Sequence, residues 1–280
     1  MAPVAEVKTL HELLENKIIL TTGDLENARF YAENKGDAVV RVHVKVDTGM
    51  GRFGVRWTDT EQLKAIYALE GLRFEGIFSH FGKSFEKEYK LTKLQLDRFL
   101  KVLKALEDAG VFVGMRHIAN SCAALRFPQT RLDAVRVGSA LVAGLLAPAP
   151  IPLKTAHVFK AQVVAVKELK KGDTMGYASV CKAKKDMTAA VVAIGFNMGF
   201  GMTGAPDPYP LVDFASYMYH LLQRYMHPPF ASFAEQNLPL VGRVGSQYTL
   251  FDVTGTDVKP GDYVTFRMPL LQYPGKRKFI

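Results

Sequence analysis

Little in this sequence marks it as a specialised protein. Among 280 residues there are two cysteines, Cys122 and Cys181, so no disulfide framework is implied and a reducing, cytoplasmic setting is expected. No run of about eighteen apolar residues is present, which excludes a membrane-spanning helix on hydropathy. Residues 1–7 lack the basic start and apolar stretch of a secretory signal. No internal repeat is visible, and no basic tail or aromatic–basic signature of an RNA binder. What is present is ordinary: 48% hydrophobic and 22% charged residues, enough to bury a real core. The net charge of +9 suits an anionic ligand, but its lysines and arginines are spread along the chain as a solvated surface. No nucleic acid, membrane or metal is expected as a partner.

The length exceeds one ordinary domain and suits two. Residues 1–146 alternate helix and strand patterns, with helices at 7–16, 24–34, 58–71 and 87–109. Strands are expected at 18–21, 39–46, 74–79, 117–119 and 134–137. In the second of these, Val40, Val42, Val44 and Val46 face one way while Arg41, His43, Lys45 and Asp47 face the other. Such alternation of strands and helices predicts a parallel sheet covered by helices. The segment 147–153, with three prolines, reads as a linker. Residues 154–280 change to a β pattern with hairpin turns, a mostly antiparallel domain carrying a helix near 212–226. Residues 202–237 read as an insertion. An eight-unit barrel needs roughly 250 residues, so the first part has room for about five strands of one, a partial (β/α)8 barrel.

Four strand ends in the first part carry polar chemistry. Lys-Val-Asp-Thr-Gly-Met-Gly-Arg-Phe-Gly at 45–54 delivers Lys45, Asp47 and Arg52 to the edge where parallel sheets bind ligands. Ser-His-Phe-Gly at 79–82 places His80 directly after a strand. Asn120 and Ser121 precede a short helical run, a junction whose free N–H groups suit a phosphate, though a plain N-cap explains it as well. Arg136 sits on an apolar strand and needs a partner, and Gly138 and Ser139 open the next turn. In the second part, Tyr177 lies in a loop between Gly176 and Ala178 with little packing reason to be there.

Together with Ala-Asn-Ser-Cys-Ala-Ala-Leu-Arg-Phe-Pro, Asp-Ala-Val-Arg-Val-Gly, Gly-Asp-Thr-Met-Gly-Tyr and Val-Gly-Arg-Val-Gly, these motifs resemble, in order and spacing, the alanine racemase family. The resemblance implies a fold-type III pyridoxal 5'-phosphate enzyme interconverting L- and D-alanine, supplying D-alanine for cell wall, and built as a homodimer with shared sites. By it, Ser121, Gly138 and Ser139 hold the cofactor phosphate, Arg136 faces the pyridine nitrogen, and His80 stands beside Arg136. Arg52 lies near the cofactor's phenolic oxygen and the substrate carboxylate, with Lys45, often carbamylated in the family, orienting it. Tyr177 is the acid/base that enters the opposite subunit's site. Racemisation needs a second such group on the other face, which the family supplies with a cofactor-bearing lysine on its first barrel strand.

No motif of that lysine is found in the sequence. The expectation is that Met1 is an internal methionine of a longer protein and that these residues alone do not racemise. A non-catalytic pyridoxal-phosphate-binding relative is the alternative. Val-Gly-Ser-Gln-Tyr at 244–248 and Gly-Phe-Asn-Met-Gly-Phe at 195–200 depart from the family pattern, so serine or another small amino acid stays open as substrate.

Overall fold

The computed structural model describes residues 2–85, 89–142, 149–154, 156–176, 179, 181–201, 218–219, 221–222, 226, 230–266 and 268. The chain divides into two compact units, Met1–Lys154 and Thr155–Ile280.

The first unit is a parallel sheet with helices between its strands. Its elements run α1 (Val7–Glu15), β1 (Leu20–Thr22), α2 (Leu25–Asn34), β2 (Val40–Asp47), β3 (Val55–Arg56) and α3 (Thr60–Tyr67). Then come β4 (Leu72–Phe78), α4 (Lys90–Asp108), β5 (Met115–Asn120), α5 (Ser121–Arg126) and β6 (Ala134–Arg136). The strand order is β1-β2-β4-β5-β6, with β3 paired to β2, and every pairing is parallel. The five expected strands are all present; β3, two residues long, was not read from the sequence. Asp24 and Asp59 start α2 and α3 by accepting the Asn27 and Gln62 backbone N–H groups at 2.7 and 3.0 Å. The valine face of β2 is fully buried against the helices. Helix α4 adds Leu96, Phe99, Val102, Leu103 and Leu106 to the same core, each worth about 1.5–3 kcal/mol when buried.

The second unit is antiparallel. Strands β7 (Phe159–Leu169), β10 (Met187–Val192), β11 (Phe230–Phe233), β12 (Gln236–Val241), β13 (Thr249–Asp252) and β14 (Tyr263–Phe266) close a barrel in the order β10-β13-β12-β11-β14-β7. A short hairpin of β8 (Thr174–Met175) and β9 (Cys181–Lys182) stands apart from it. The reading of 202–237 as an insertion is corrected here: β11 and the start of β12 lie inside that range and are staves of the barrel. The described residues of the expected helix, 218–219, 221–222 and 226, are helical. On that helix Leu221 is 49% exposed, while Phe214, Tyr217 and Tyr225 lie outside the described residues.

Candidate active site

Parallel strands bring their C-terminal ends to one edge, and the register fixes which residues meet there. Lys45 pairs with Phe78, Phe78 with His117, and Asn120 with Arg136. Lys45, His80, Ser121 and Arg136 therefore share the rim that the sequence assigned to them.

Arg136 reaches back across two strands. Its Nη2 donates to the Ser79 carbonyl at 2.6 Å and to His80 Nδ1 at 3.0 Å, and its Nη1 to His117 Nδ1 at 2.5 Å. The guanidinium lies over the Phe78 ring, 5.1 Å from its centroid. A guanidinium only donates, so both imidazoles accept at Nδ1 and carry their proton on Nε2. His117 then passes its Nε2–H to His43 Nδ1 at 2.8 Å. The electrostatics agree with neutral rings. Burial, then the charge of Arg136, lowers His117 to about 3 and His80 to about 4. Arg136 is lowered by burial to about 10 and stays cationic at neutral pH. One of its protons has no recipient among the described residues: Nε is buried and makes no hydrogen bond to them.

Two residues along the chain from Arg136, a backbone turn is bonded to Ser121. Ser121, buried at the start of α5, accepts the Gly138 N–H at 2.9 Å and the Ala140 N–H at 3.2 Å on its Oγ. A hydroxyl oxygen that accepts two N–H groups keeps its own proton for a third partner. Nothing lies within 4 Å of where a Cβ on Gly138 would stand, so the backbone there is open to an approaching oxygen. Ser139, half-buried, lies between the two N–H donors in the turn that carries them.

Lys45 is buried, with Nζ 5.1 Å from the Phe78 centroid. Burial, then Arg52 and Arg136, lowers it to about 8 against the pull of Asp47. Arg52 is exposed in the glycine turn, yet its charge is felt at both Lys45 and His80. Tyr177, the remaining residue of the expected site, lies outside the described residues. Sequence reasoning missed His43, His117 and Phe78. Their signal was the inward alternation of β2, β4 and β5, which becomes informative only once the strand neighbours are known.

Family models support the architecture. That of the alanine racemase N-terminal domain matches residues 2–145, and that of the C-terminal domain residues 156–270. The alanine racemase of Clostridium tetani is 32% identical over 238 residues, covering 82% of this chain and 56% of that protein. That of Desulfosudis oleivorans is 32% identical over 271 residues, 90% of this chain and 64% of that one. The solved alanine racemase from Bacillus anthracis with bound L-Ala-P matches with a TM-score of 0.75 at 26% identity, over 94% of this chain and 64% of that one. The alanine racemase of Clostridium difficile 630 matches with a TM-score of 0.76 at 24% identity, which speaks for the fold alone. The chain thus spans less than two thirds of the length of these relatives. With one family model on each of its two units, the chain belongs to the alanine racemase family.

Proposed function

We propose that this chain carries the cofactor-holding rim of a pyridoxal 5'-phosphate-dependent racemase that interconverts L- and D-alanine, in the cytoplasm and as a homodimer. The observation that carries the reading is the Arg136 guanidinium, whose buried Nε–H lacks a partner among the described residues, near the turn of Gly138 that is bonded to Ser121. A phosphate would accept the Ser121 hydroxyl proton, which the Gly138 and Ala140 N–H groups leave free by donating to the oxygen, and a pyridine nitrogen would accept the orphaned Nε–H. The residues present therefore fit the cofactor.

When bound, pyridoxal phosphate supplies the electron sink that acidifies the substrate α-carbon. The chain's own groups set how that sink behaves. Arg136 offers a proton that it does not give up, because its guanidinium remains cationic at neutral pH. A ring nitrogen facing Arg136 would stay largely unprotonated, and Arg136 would thereby favour return of the α-proton over transamination. Neutral His80 and His117 hold the guanidinium from its far side and add no charge. Arg52 is the cation for the substrate carboxylate and Lys45 its neighbour. Tyr177 is the proposed acid/base on one face, with its phenolate favoured by Arg52. The opposite face belongs to the family's cofactor lysine, whose motif is not among these residues.

Titration with pyridoxal phosphate, followed by absorbance, tests the rim directly. Saturable binding that falls at least about tenfold in Arg136→Ala and in Ser121→Ala is expected. Absence of binding, or binding indifferent to both changes, defeats the reading. Binding without racemisation by the protein that contains the cofactor lysine selects the non-catalytic relative instead.

A further inference from the structure

We infer that Gln95, on the buried face of α4, is a positioning residue that fixes the direction in which Arg136 presents its Nε–H. The inference rests on the proposed cofactor site and adds to it a residue outside the rim.

Gln95 is 6% exposed and, with Thr92, is one of two polar side chains on the buried face of α4. Its amide is used at both ends. Nε2 donates to the His80 carbonyl at 3.1 Å and to the Thr48 hydroxyl at 3.2 Å, while Oε1 accepts the Gly82 N–H at 3.0 Å. Thr48 is fully buried, and its hydroxyl is 2.8 Å from that of Ser79. One helical turn on, Arg98 donates to the Thr48 carbonyl at 2.9 Å and stacks 5.2 Å from the Trp57 ring centroid. Helix α4 thus grips two loops at once, the one after β2 that leads to Arg52 and the one after β4 that holds Ser79, His80 and Gly82.

The second loop is what orients Arg136. Nη2 has two acceptors there, the Ser79 carbonyl and His80 Nδ1. A planar guanidinium held at two points of one edge has the direction of its Nε–H set by those points. Both acceptor residues are tied to Gln95, His80 at its carbonyl directly and Ser79 at its hydroxyl through that of Thr48. A Gln is required by the donor count: two N–H for two oxygens and one carbonyl for an N–H. Release of the Ser79–Gly82 turn leaves Arg136 held only from β5, by His117 and the Ile118 carbonyl, and so loosens its bearing.

The test compares Gln95→Met with Val102→Ala, a truncation of an apolar core side chain two turns further along the same helix, which has no polar group to bond either loop. Two quantities are read in the full-length protein. One is the 1H–15N resonance of Arg136 Nε in the ligand-free state; the other is the pyridoxal-phosphate dissociation constant. Gln95→Met is expected to shift or broaden the Nε resonance and to weaken binding about tenfold. Val102→Ala is expected to lower the melting temperature at least as much and to move neither. If Gln95→Met does not fold, Gln95→Glu keeps the volume and the acceptor for Gly82 but loses both donors, and is read in the same way. An unmoved Nε resonance, or an equal response from Val102→Ala, overturns the inference. If the unaltered protein does not bind pyridoxal phosphate, the cofactor reading fails instead, and the resonance still decides the role of Gln95.

Discussion

Lys45 is a cation in cationic company. It is buried, lies within reach of the charges of Arg52 and Arg136, and is lowered to about 8. At pH 7.5 roughly a quarter of such amines are neutral, compared with a negligible share for a free lysine. A neutral amine adds carbon dioxide, forming an N–C bond and releasing a proton, and the product is an anion. That exchange turns repulsion from both arginines into attraction. Protein equilibrated with 13C-labelled bicarbonate is therefore expected to show one bound carbamate resonance that vanishes in Lys45→Arg. The same variant is expected to lose at least about tenfold in kcat/KM, since Arg52 loses its anionic partner. A spectrum without that resonance removes the argument. The two imidazoles beside Arg136 give a second test, on stability. His80 and His117 titrate at about 4 and about 3 in the fold against about 6.5 when unfolded. His80 faces Arg136, Lys45 and Arg52, and His117 faces Arg136, His43 and Asp133. Below pH 6.5 the unfolded chain gains protons that the folded one refuses, so stability is full above that pH and falls as acid is added. The slope is about 1.4 kcal/mol per pH unit for each ring between pH 6 and 4.5. Urea unfolding of the cofactor-free protein should show it, and His117→Asn should remove about half. A flat profile would mean that the rings are protonated in the fold.

The glycine turn after β2 works as one piece because a single carboxylate organises it. Asp47 accepts the N–H groups of Gly49, Met50 and Gly51 at 2.9, 2.9 and 3.1 Å. Burial pushes its carboxyl up, but these donors outweigh burial and hold it below the usual range. The chain then doubles back so closely that a Cβ on Gly54 would stand 2.8 Å from the Asp47 nitrogen and 2.9 Å from the Lys45 carbonyl, at φ +114. Only glycine fits there. Arg52 rides on this turn, so its position follows from Asp47. Asp47→Ala leaves three N–H groups without their acceptor, a cost of about 1–3 kcal/mol. On the proposal that Arg52 is the cation for the substrate carboxylate, KM should rise at least about fivefold while kcat changes less. Steady-state kinetics at saturating cofactor separates the two. A fall confined to kcat would show that the turn does not carry the carboxylate site.

At the scale of the whole chain, the readable parts are those where local pattern and final environment coincide. Strand β2 alternates perfectly, its valine face is buried as the pattern requires, and its polar face supplies Lys45 and Asp47 to the rim. The polar row from His43 through His117 to Arg136 was not readable, because it depends on β2, β4, β5 and β6 being neighbours in register. Gln95 was passed over because a helix stripe is read by its apolar members. Strand β11 was taken for insertion because its partners, β12 and β14, give it meaning only when the barrel closes.

Closure also explains a glycine with no conformational reason to be one. Gly195 has φ −156, extended backbone that any residue adopts. Yet a Cβ there would lie 2.1 Å from the Ser246 carbonyl oxygen and 2.4 Å from that of Gly245, atoms of a backbone that cannot rotate away. The same two carbonyls accept the Asn197 and Phe196 N–H groups at 3.2 and 3.0 Å, so the loops after β10 and before β13 are bonded face to face. Phe200 follows and enters the barrel core, with its ring centroid 6.0 and 5.5 Å from those of Phe251 and Phe266. Gly195→Ala must part the loops and withdraw that ring, a cost of about 2–3 kcal/mol. Gly255→Ala is the comparison: nothing lies within 4 Å of its Cβ, but its φ of +77 is strained for alanine by about 1–2 kcal/mol. Urea unfolding should rank Gly195→Ala as the more damaging, with hydrogen-exchange protection lost first in β10 and β13. The reverse ranking would mean that backbone strain, and not the close approach of two loops, decides where this barrel needs glycine.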